Sequence, residues 1–424
     1  MFKKIVVASD SFKGSLTSLE VADSVEKAVR EAFPQCDVVK VNVADGGEGT
    51  MDALRQTLGG TRVNLTVSGP LGRPVEAYYV ILDDGITAVL EMSAASGLPL
   101  LAPEERNPSR TSTYGTGELI RDALGKGCTK FLVGIGGSAT NDAGMGMLSA
   151  LGYRFLDADG AELEPVGGSL GLVESILSPQ WGTSPEGGDG RAYGLFQANK
   201  ASSMNLPLGN CPPRCMSSDE AALQMDDVNI LPDASFIVAC DVKAPLYGPE
   251  GAAYVFAPQK GADPQMVQSL DAGLRHFAEV AAQVTGSDFS QMQGAGAAGG
   301  LGYAFKEFLN ASLERGVEMV LDAIGFDEII AGADLVITGE GRVDSQTLTG
   351  KTPFGVAQRA IRQGIPVVAI GGSVAIDAHQ AREAGFKDAL QVTPEGMPLS
   401  EAMKQDVASE NVYRTILKLM KDYE

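Results

Sequence analysis

Six carboxylates, Asp10, Asp45, Glu48, Asp241, Glu340 and Asp344, fall just after short apolar runs, where the chain would leave a buried strand. One such carboxylate is commonly a helix N-cap. Several at the same end of one parallel sheet suit a phosphate-handling site, where acidic groups hold Mg²⁺ or accept a hydroxyl proton. Lys13, Arg110, Lys260, Arg342 and Lys351 supply the positive charge that an anionic substrate demands. The chain has only two histidines, His276 and His379, so acid–base work falls to carboxylates and lysines. Both histidines read as packing or solvent-facing residues.

Three glycine-containing stretches could meet an anion. GIGGSATNDAG (134–144) follows the apolar run Phe131-Leu132-Val133 and opens a helix, so its amides and hydroxyls could cradle a phosphate or carboxylate. Gly136, Gly137, Ser138 and Asn141 are its candidate binding residues, against the plainer reading of a strand-to-helix turn capped by Thr140 or Asn141. GAGAAG (294–299) matches the dinucleotide string GxGxxG, with Glu314 or Glu318 near the distance of a ribose-binding acid. The preceding GSDFSQMQ is not a strand, however, and the fingerprint requires one. Gly296 and Gly299 stay as nucleotide-binding candidates beside a backbone-packing reading. The third stretch, Gly350-Lys351-Thr352, lacks the first glycine of a P-loop, and Lys351 is either an anion holder at a helix start or a solvated lysine.

Strand–loop–helix grammar positions these groups. Residues 4–9 (KIVVAS) and 38–44 are apolar strands, followed by helical periodicity over 16–33, with Thr17 and Ser18 as caps, and over 51–58. From residue 61 the pattern becomes alternating, with hairpin signals at Gly69-Pro70-Leu71-Gly72 and Asp83-Asp84-Gly85. Helices are expected at 113–125 and 141–151. Strand–helix units resume at 235–239 (SFIVA) and recur at 335–338, broken by Gly339-Glu340-Gly341, then at 366–370 and 388–392. Six strands interleaved with helices imply a doubly wound, mostly parallel α/β sheet of Rossmann or flavodoxin-like type. The expected division is a parallel domain from 1–61 and 234–424, interrupted by an inserted α+β domain at 62–233. Within the insert, 180–232 loses periodicity, carries Trp181, Cys211 and Cys215, and reads as a surface excursion with disorder.

Composition closes off other classes. A net charge of -21 offers no basic face for nucleic acid or anionic membrane. No apolar segment approaches the roughly 18 residues of a membrane span, and the N-terminal run is too short for a signal peptide. Five scattered cysteines without a CxxC pair fit a reduced, cytoplasmic setting. The oligomeric state stays open, a homodimer included.

Taken together, SDSFKGS (9–15), ADGGEGT (44–50), YGTGELI (114–120), GIGGSATNDAGMG (134–146), ACDV, APQKGA (257–262), GAGAAGGLG and ITGEGRVDSQTLTGKTP resemble the bacterial glycerate kinase family. The resemblance runs in order from the first strand to the last quarter of the chain, and residues 180–232 depart from it. It implies ATP-dependent phosphorylation of D-glycerate, with the 2-hydroxyl favoured, by a two-domain protein. On that footing Asp344 or Asp241 accepts the hydroxyl proton, while Asp45 and Glu48 orient Mg²⁺ or substrate hydroxyls. Arg342, Lys13 and Lys351 neutralise the carboxylate and the moving phosphoryl group, with Asp10 also contacting substrate, and the loop 136–141 binds phosphate. Two rivals are a non-catalytic binder of phosphorylated metabolites and an NAD-dependent dehydrogenase.

Overall fold

The computed structural model describes residues 2–47, 49–179 and 233–423. Glu48 and the stretch 180–232, with Trp181, Cys211 and Cys215, lie outside the described residues. Thirteen strands occur among those described: β1 (Lys4–Ser9), β2 (Asp37–Lys40), β3 (Thr61–Ser68), β4 (Pro74–Ile81), β5 (Thr87–Glu91), β6 (Lys130–Gly134), β7 (Arg154–Leu156), β8 (Ser175–Leu177), β9 (Ser235–Ala239), β10 (Ser312–Glu314), β11 (Leu335–Val343), β12 (Val367–Val374) and β13 (Asp388–Gln391).

The first sheet has the order β13-β12-β11-β1-β2, every pair parallel. This is the flavodoxin-like order, whose ligand crevice lies where strand order reverses, between the carboxyl ends of β1 and β11. Period-two alternation explains its two covered faces. Ile5 and Val7 pack with Val21, Val25 and Val29 of the helix Ser18–Ala32, while Val6 and Ala8 pack with Val317, Val320 and Val356 on the other side. Full burial of each such side chain contributes about 1.5–3 kcal/mol. The helix Ser18–Ala32 starts on a capping box between Thr17 and Glu20, as its sequence leads one to expect.

The second sheet, β10-β9-β6-β5-β4-β3, is antiparallel over β3-β4-β5 and parallel from β5 to β10. This corrects the expectation of six strands in one parallel sheet. Ser235–Ala239 pairs with β6 and β10 instead, with Phe236 stacked on Phe131 at 4.7 Å between ring centroids. A five-residue apolar run fits either sheet, and chain order alone does not choose between them. Two further boundaries move. β11 does not break at Gly339-Glu340-Gly341 but runs on to Val343 against Val374, because Gly339 lets the carbonyl of Ile370 pass where a Cβ would sit 2.4 Å from it. The helix expected at 141–151 forms only over Met145–Ala150, since Ala143 and Gly144 take positive φ.

The two sheets share a core. Val80, Val89, Leu132 and Ala239 of the second sheet join Val6, Val317 and Val336 in one cluster. A buried arginine steadies the helix Thr352–Arg362, which meets the crevice at its N-terminus. Arg359, 8% exposed, reaches Glu318 at 2.5 Å, Asp322 at 2.7 Å and Asp327 at 2.9 Å. Arg359→Met is expected to lower unfolding stability by about 1–3 kcal/mol, because it leaves three partly exposed carboxylates facing one another. An unchanged urea midpoint would show that the network carries no stability.

Candidate active site

Carboxyl ends of strands from both sheets converge on the loop 41–47 that follows β2. From the first sheet, Asp10 follows β1, and its amide donates to the Gly339 carbonyl at 2.8 Å. The Asp10 carboxylate accepts from the Ser11 amide at 2.6 Å and from the Thr352 hydroxyl at 3.2 Å, so the start of the helix Thr352–Arg362 touches it directly. Burial, reinforced by the nearby Asp45 charge, pushes the Asp10 carboxyl up to about 6, with Lys13 opposing. Asp45 turns its own loop by accepting from the Gly47 amide at 3.1 Å.

From the second sheet, Glu91 at the end of β5 accepts from the amides of Gly49 and Met51 at 3.1 and 3.0 Å, pinning the start of the helix Thr50–Leu58. Gly134, at the end of β6, lies against the Gly46 carbonyl. Asp241, just beyond β9, accepts from the Gly316 amide at 3.1 Å. Desolvation raises its carboxyl above the ordinary range, the Gly316 amide opposes this, and Asp45 adds to the rise. Gly46 and Gly316 meet backbone to backbone. A Cβ on Gly316 would stand 2.0 Å from the Asp45 carbonyl oxygen, and one on Gly46, whose φ is +85°, would stand 2.4 Å from the Gly316 Cα. Only glycine permits this approach, and it is what brings Asp45 and Asp241 into one field.

Along the last residues of β11 and just past its end the charges alternate. Glu340 accepts from the Thr347 hydroxyl at 2.5 Å and from Lys351 at 3.3 Å, and burial raises its carboxyl against both. Arg342 pairs with Asp344 at 3.2 Å, and Asp344 also accepts from the Gln346 amide at 2.9 Å. Asp344 is thus committed to its own loop, whereas Asp241 has one oxygen engaged. Lys13 is exposed beside Asp10, and Gly341 packs near its backbone.

The loop after β6 exposes Gly136 and Gly137, while Ser138 is buried and Asn141 has no exposed surface. Gly299 lies behind it, where a Cβ would meet the Thr140 carbonyl at 2.1 Å, and Gly296 packs against the Pro245 carbonyl. Gly296 and Gly299 therefore face protein backbone, and no strand enters them. Arg110 is exposed, and among the described residues no hydrogen bond or ion pair joins it to the cluster. Sequence reasoning overlooked Glu91, a strand-end carboxylate like the six it singled out. It also overlooked Arg315, the residue before Gly316, which acts on Asp241 and lies against Gly350. Arg315 had no signal in its spacing, because the two segments it touches come together only in the fold.

Among the described residues no group of three or more His, Cys, Asp or Glu is arranged to hold a metal ion. Mg²⁺ bound with phosphate needs only one or two protein carboxylates. Asp10 is raised first by burial and then by the Asp45 charge, and a cation beside the two carboxylates would offset both. Two surface concavities, about 630 Å³ beside Tyr247 and Arg275 and about 380 Å³ lined by Asp83, Asp84 and Lys130, contain none of these groups. No described helix is long and apolar enough to cross a membrane.

The model of the family described as "Glycerate kinase family" matches residues 5–184 and 218–424, leaving 185–217 unmatched. The chain is 43% identical to a glycerate kinase of Bacillus subtilis over 97% of its own length and 95% of that protein. It is 41% identical to the glycerate 2-kinase of Escherichia coli, again over 97% and 95%. A crystal structure from Salmonella typhimurium, designated glycerate kinase 2, superposes with a TM-score of 0.79 at 40% identity, covering 100% of this chain and 98% of that one.

Proposed function

The chain belongs to the glycerate kinase family, and from that premise we propose that it transfers the γ-phosphoryl group of ATP to the 2-hydroxyl of D-glycerate, giving 2-phosphoglycerate. The observation that carries this reading is the convergence of Asp10, Asp45 and Asp241 with Lys13, Lys351 and Arg315 where the strand ends of two sheets meet. Phosphoryl transfer asks a protein chiefly for positioning and charge neutralisation, and this crevice offers both signs of charge on rigid elements. The two sheets are read as two domains, the inserted one running from 61 to 314, with the reaction at their junction.

In this reading Asp241 accepts the hydroxyl proton on Oδ2, the oxygen that the Gly316 amide does not engage. Its raised affinity for a proton suits that role. Lys351 and Arg342 face the glycerate carboxylate, and Lys13 faces the transferred group. The exposed amides of Gly136 and Gly137 receive nucleotide phosphates. Asp10 and Asp45 would hold Mg²⁺, which when bound neutralises phosphate oxygens. Of the two expected proton acceptors, Asp344 or Asp241, the role falls to Asp241, because Asp344 is paired with Arg342 and orients it.

Incubation with D-glycerate and ATP·Mg followed by NMR of the product tests the proposal. 2-Phosphoglycerate is the expected product. Formation of the 3-isomer would overturn the regiochemistry, and nucleotide left intact would overturn the activity. The similarity to the glycerate 2-kinase of Escherichia coli supports the 2-position.

A further inference from the structure

Lys260 ends the short turn Pro258–Lys260 and is 2% exposed. Its ammonium donates to the Ser138 hydroxyl at 2.7 Å and to the Thr140 carbonyl at 2.7 Å, residues 122 and 120 positions away. Both acceptors belong to the loop that exposes Gly136 and Gly137, and Gly137 there has a φ of +74°. The turn that carries Lys260 is itself locked, because Gly261, at φ +97°, packs against the Arg106 carbonyl, where a Cβ would stand 2.2 Å away. Beneath the loop, the Asn141 amide and the Thr140 hydroxyl are buried without hydrogen-bond partners. Asp142 is fully engaged, accepting from Thr113, Gly144 and Gly146.

An ammonium placed here is an expensive way to fill space. Burial pushes it down to about 7, with Asp142 acting in the other direction. A methionine of similar length would fill the same volume without desolvating a charge. What Lys260 does that methionine cannot is fix two oxygens of an otherwise glycine-rich segment at set positions. We propose that Lys260 is a positioning residue that braces the Gly136-Gly137-Ser138 loop from beneath in the conformation that receives the nucleotide phosphates. The inference rests on the phosphate-binding reading of that loop given above.

The test compares wild type with Lys260→Met and Lys260→Gln, the second of which keeps a donor on a shorter arm. In Lys260→Met, KM for ATP·Mg is expected to rise about tenfold or more, with kcat and the D-glycerate KM each within about threefold of wild type. Lys260→Gln should fall between them. Independently of any ligand, amide hydrogen exchange over 134–141 in the free protein should accelerate about tenfold or more in Lys260→Met, while the helix Pro264–Thr285 keeps its protection. Unchanged exchange in the loop would overturn the bracing role. A uniform loss across both substrates, or failure of both variants to fold, would make Lys260 a general stability residue and also overturn it. If exchange accelerates as expected but the nucleotide KM does not move, the brace stands and the assignment of this loop to nucleotide phosphate fails.

Discussion

Asp10→Asn is expected to reduce kcat by about 10²-fold or more while raising the melting temperature of the protein in metal-free buffer. The loss follows from removing one of two neighbouring carboxylates that together suit a divalent cation at the crevice. The gain follows from the same crowding. Burial and the Asp45 charge move the Asp10 carboxyl from 3.8 up to about 6. A carboxyl raised in this way binds more protons in the folded chain than in the unfolded chain between about pH 4 and 6, so its contribution to stability falls as pH rises through that window. At pH 7 the full penalty is present, on the order of 1–3 kcal/mol from a shift of about two units. Asparagine carries no charge and escapes it. The difference in melting temperature between variant and wild type should therefore be largest near pH 7 and shrink toward pH 4. A variant that melts lower than wild type at pH 7, or that keeps its turnover, would contradict this account of the site.

Gly316→Ala should lower kcat by about 10²-fold while the chain still folds, at a cost of about 1–3 kcal/mol. A Cβ at this position meets the Asp45 carbonyl oxygen at 2.0 Å and the Gly46 Cα at 2.5 Å, and neither is the end of a flexible side chain. Backbone must part from backbone. The segment that parts carries Asp45 on one side and, through the Gly316 amide, Asp241 on the other. Separating them by even about an ångström degrades an arrangement whose contribution is mainly positional. Steady-state kinetics paired with urea unfolding would distinguish this from simple destabilisation, because kcat measured well below the unfolding midpoint should still be low. Activity within about twofold of wild type would show that the close approach of the two loops has no bearing on turnover.

Much of the site was legible as residue types at strand ends. Asp10, Asp45 and Asp241 each follow an apolar run, and Asp10 and Asp241 do stand just beyond β1 and β9, whereas the strand expected over 38–44 ends at Lys40 and leaves Asp45 in the loop that follows. Their mutual proximity was not legible, because it depends on which sheet receives Ser235–Ala239. That strand pairs with β6 rather than with the first sheet, and so Asp241 approaches Asp45 from the opposite side of the crevice. Asn141 shows the limit in the other direction. Its type and its glycine-rich setting suggested a ligand contact, but Gly299 packs over it and leaves it no exposed surface.

Read alone, the amino-acid order determined the alternation of buried strands and amphipathic helices, the parallel first sheet, the hairpin interruption after residue 61 and the family. These follow from local periodicity, turn chemistry and long motifs, all of which are written in consecutive residues. Tertiary structure decided the partners: Arg315 beside Asp241, Glu91 on the amides of Gly49 and Met51, and Lys260 under Ser138. These contacts join segments about 40 to 120 residues apart. Their energies depend on burial and distance, quantities that exist only after the two sheets have packed.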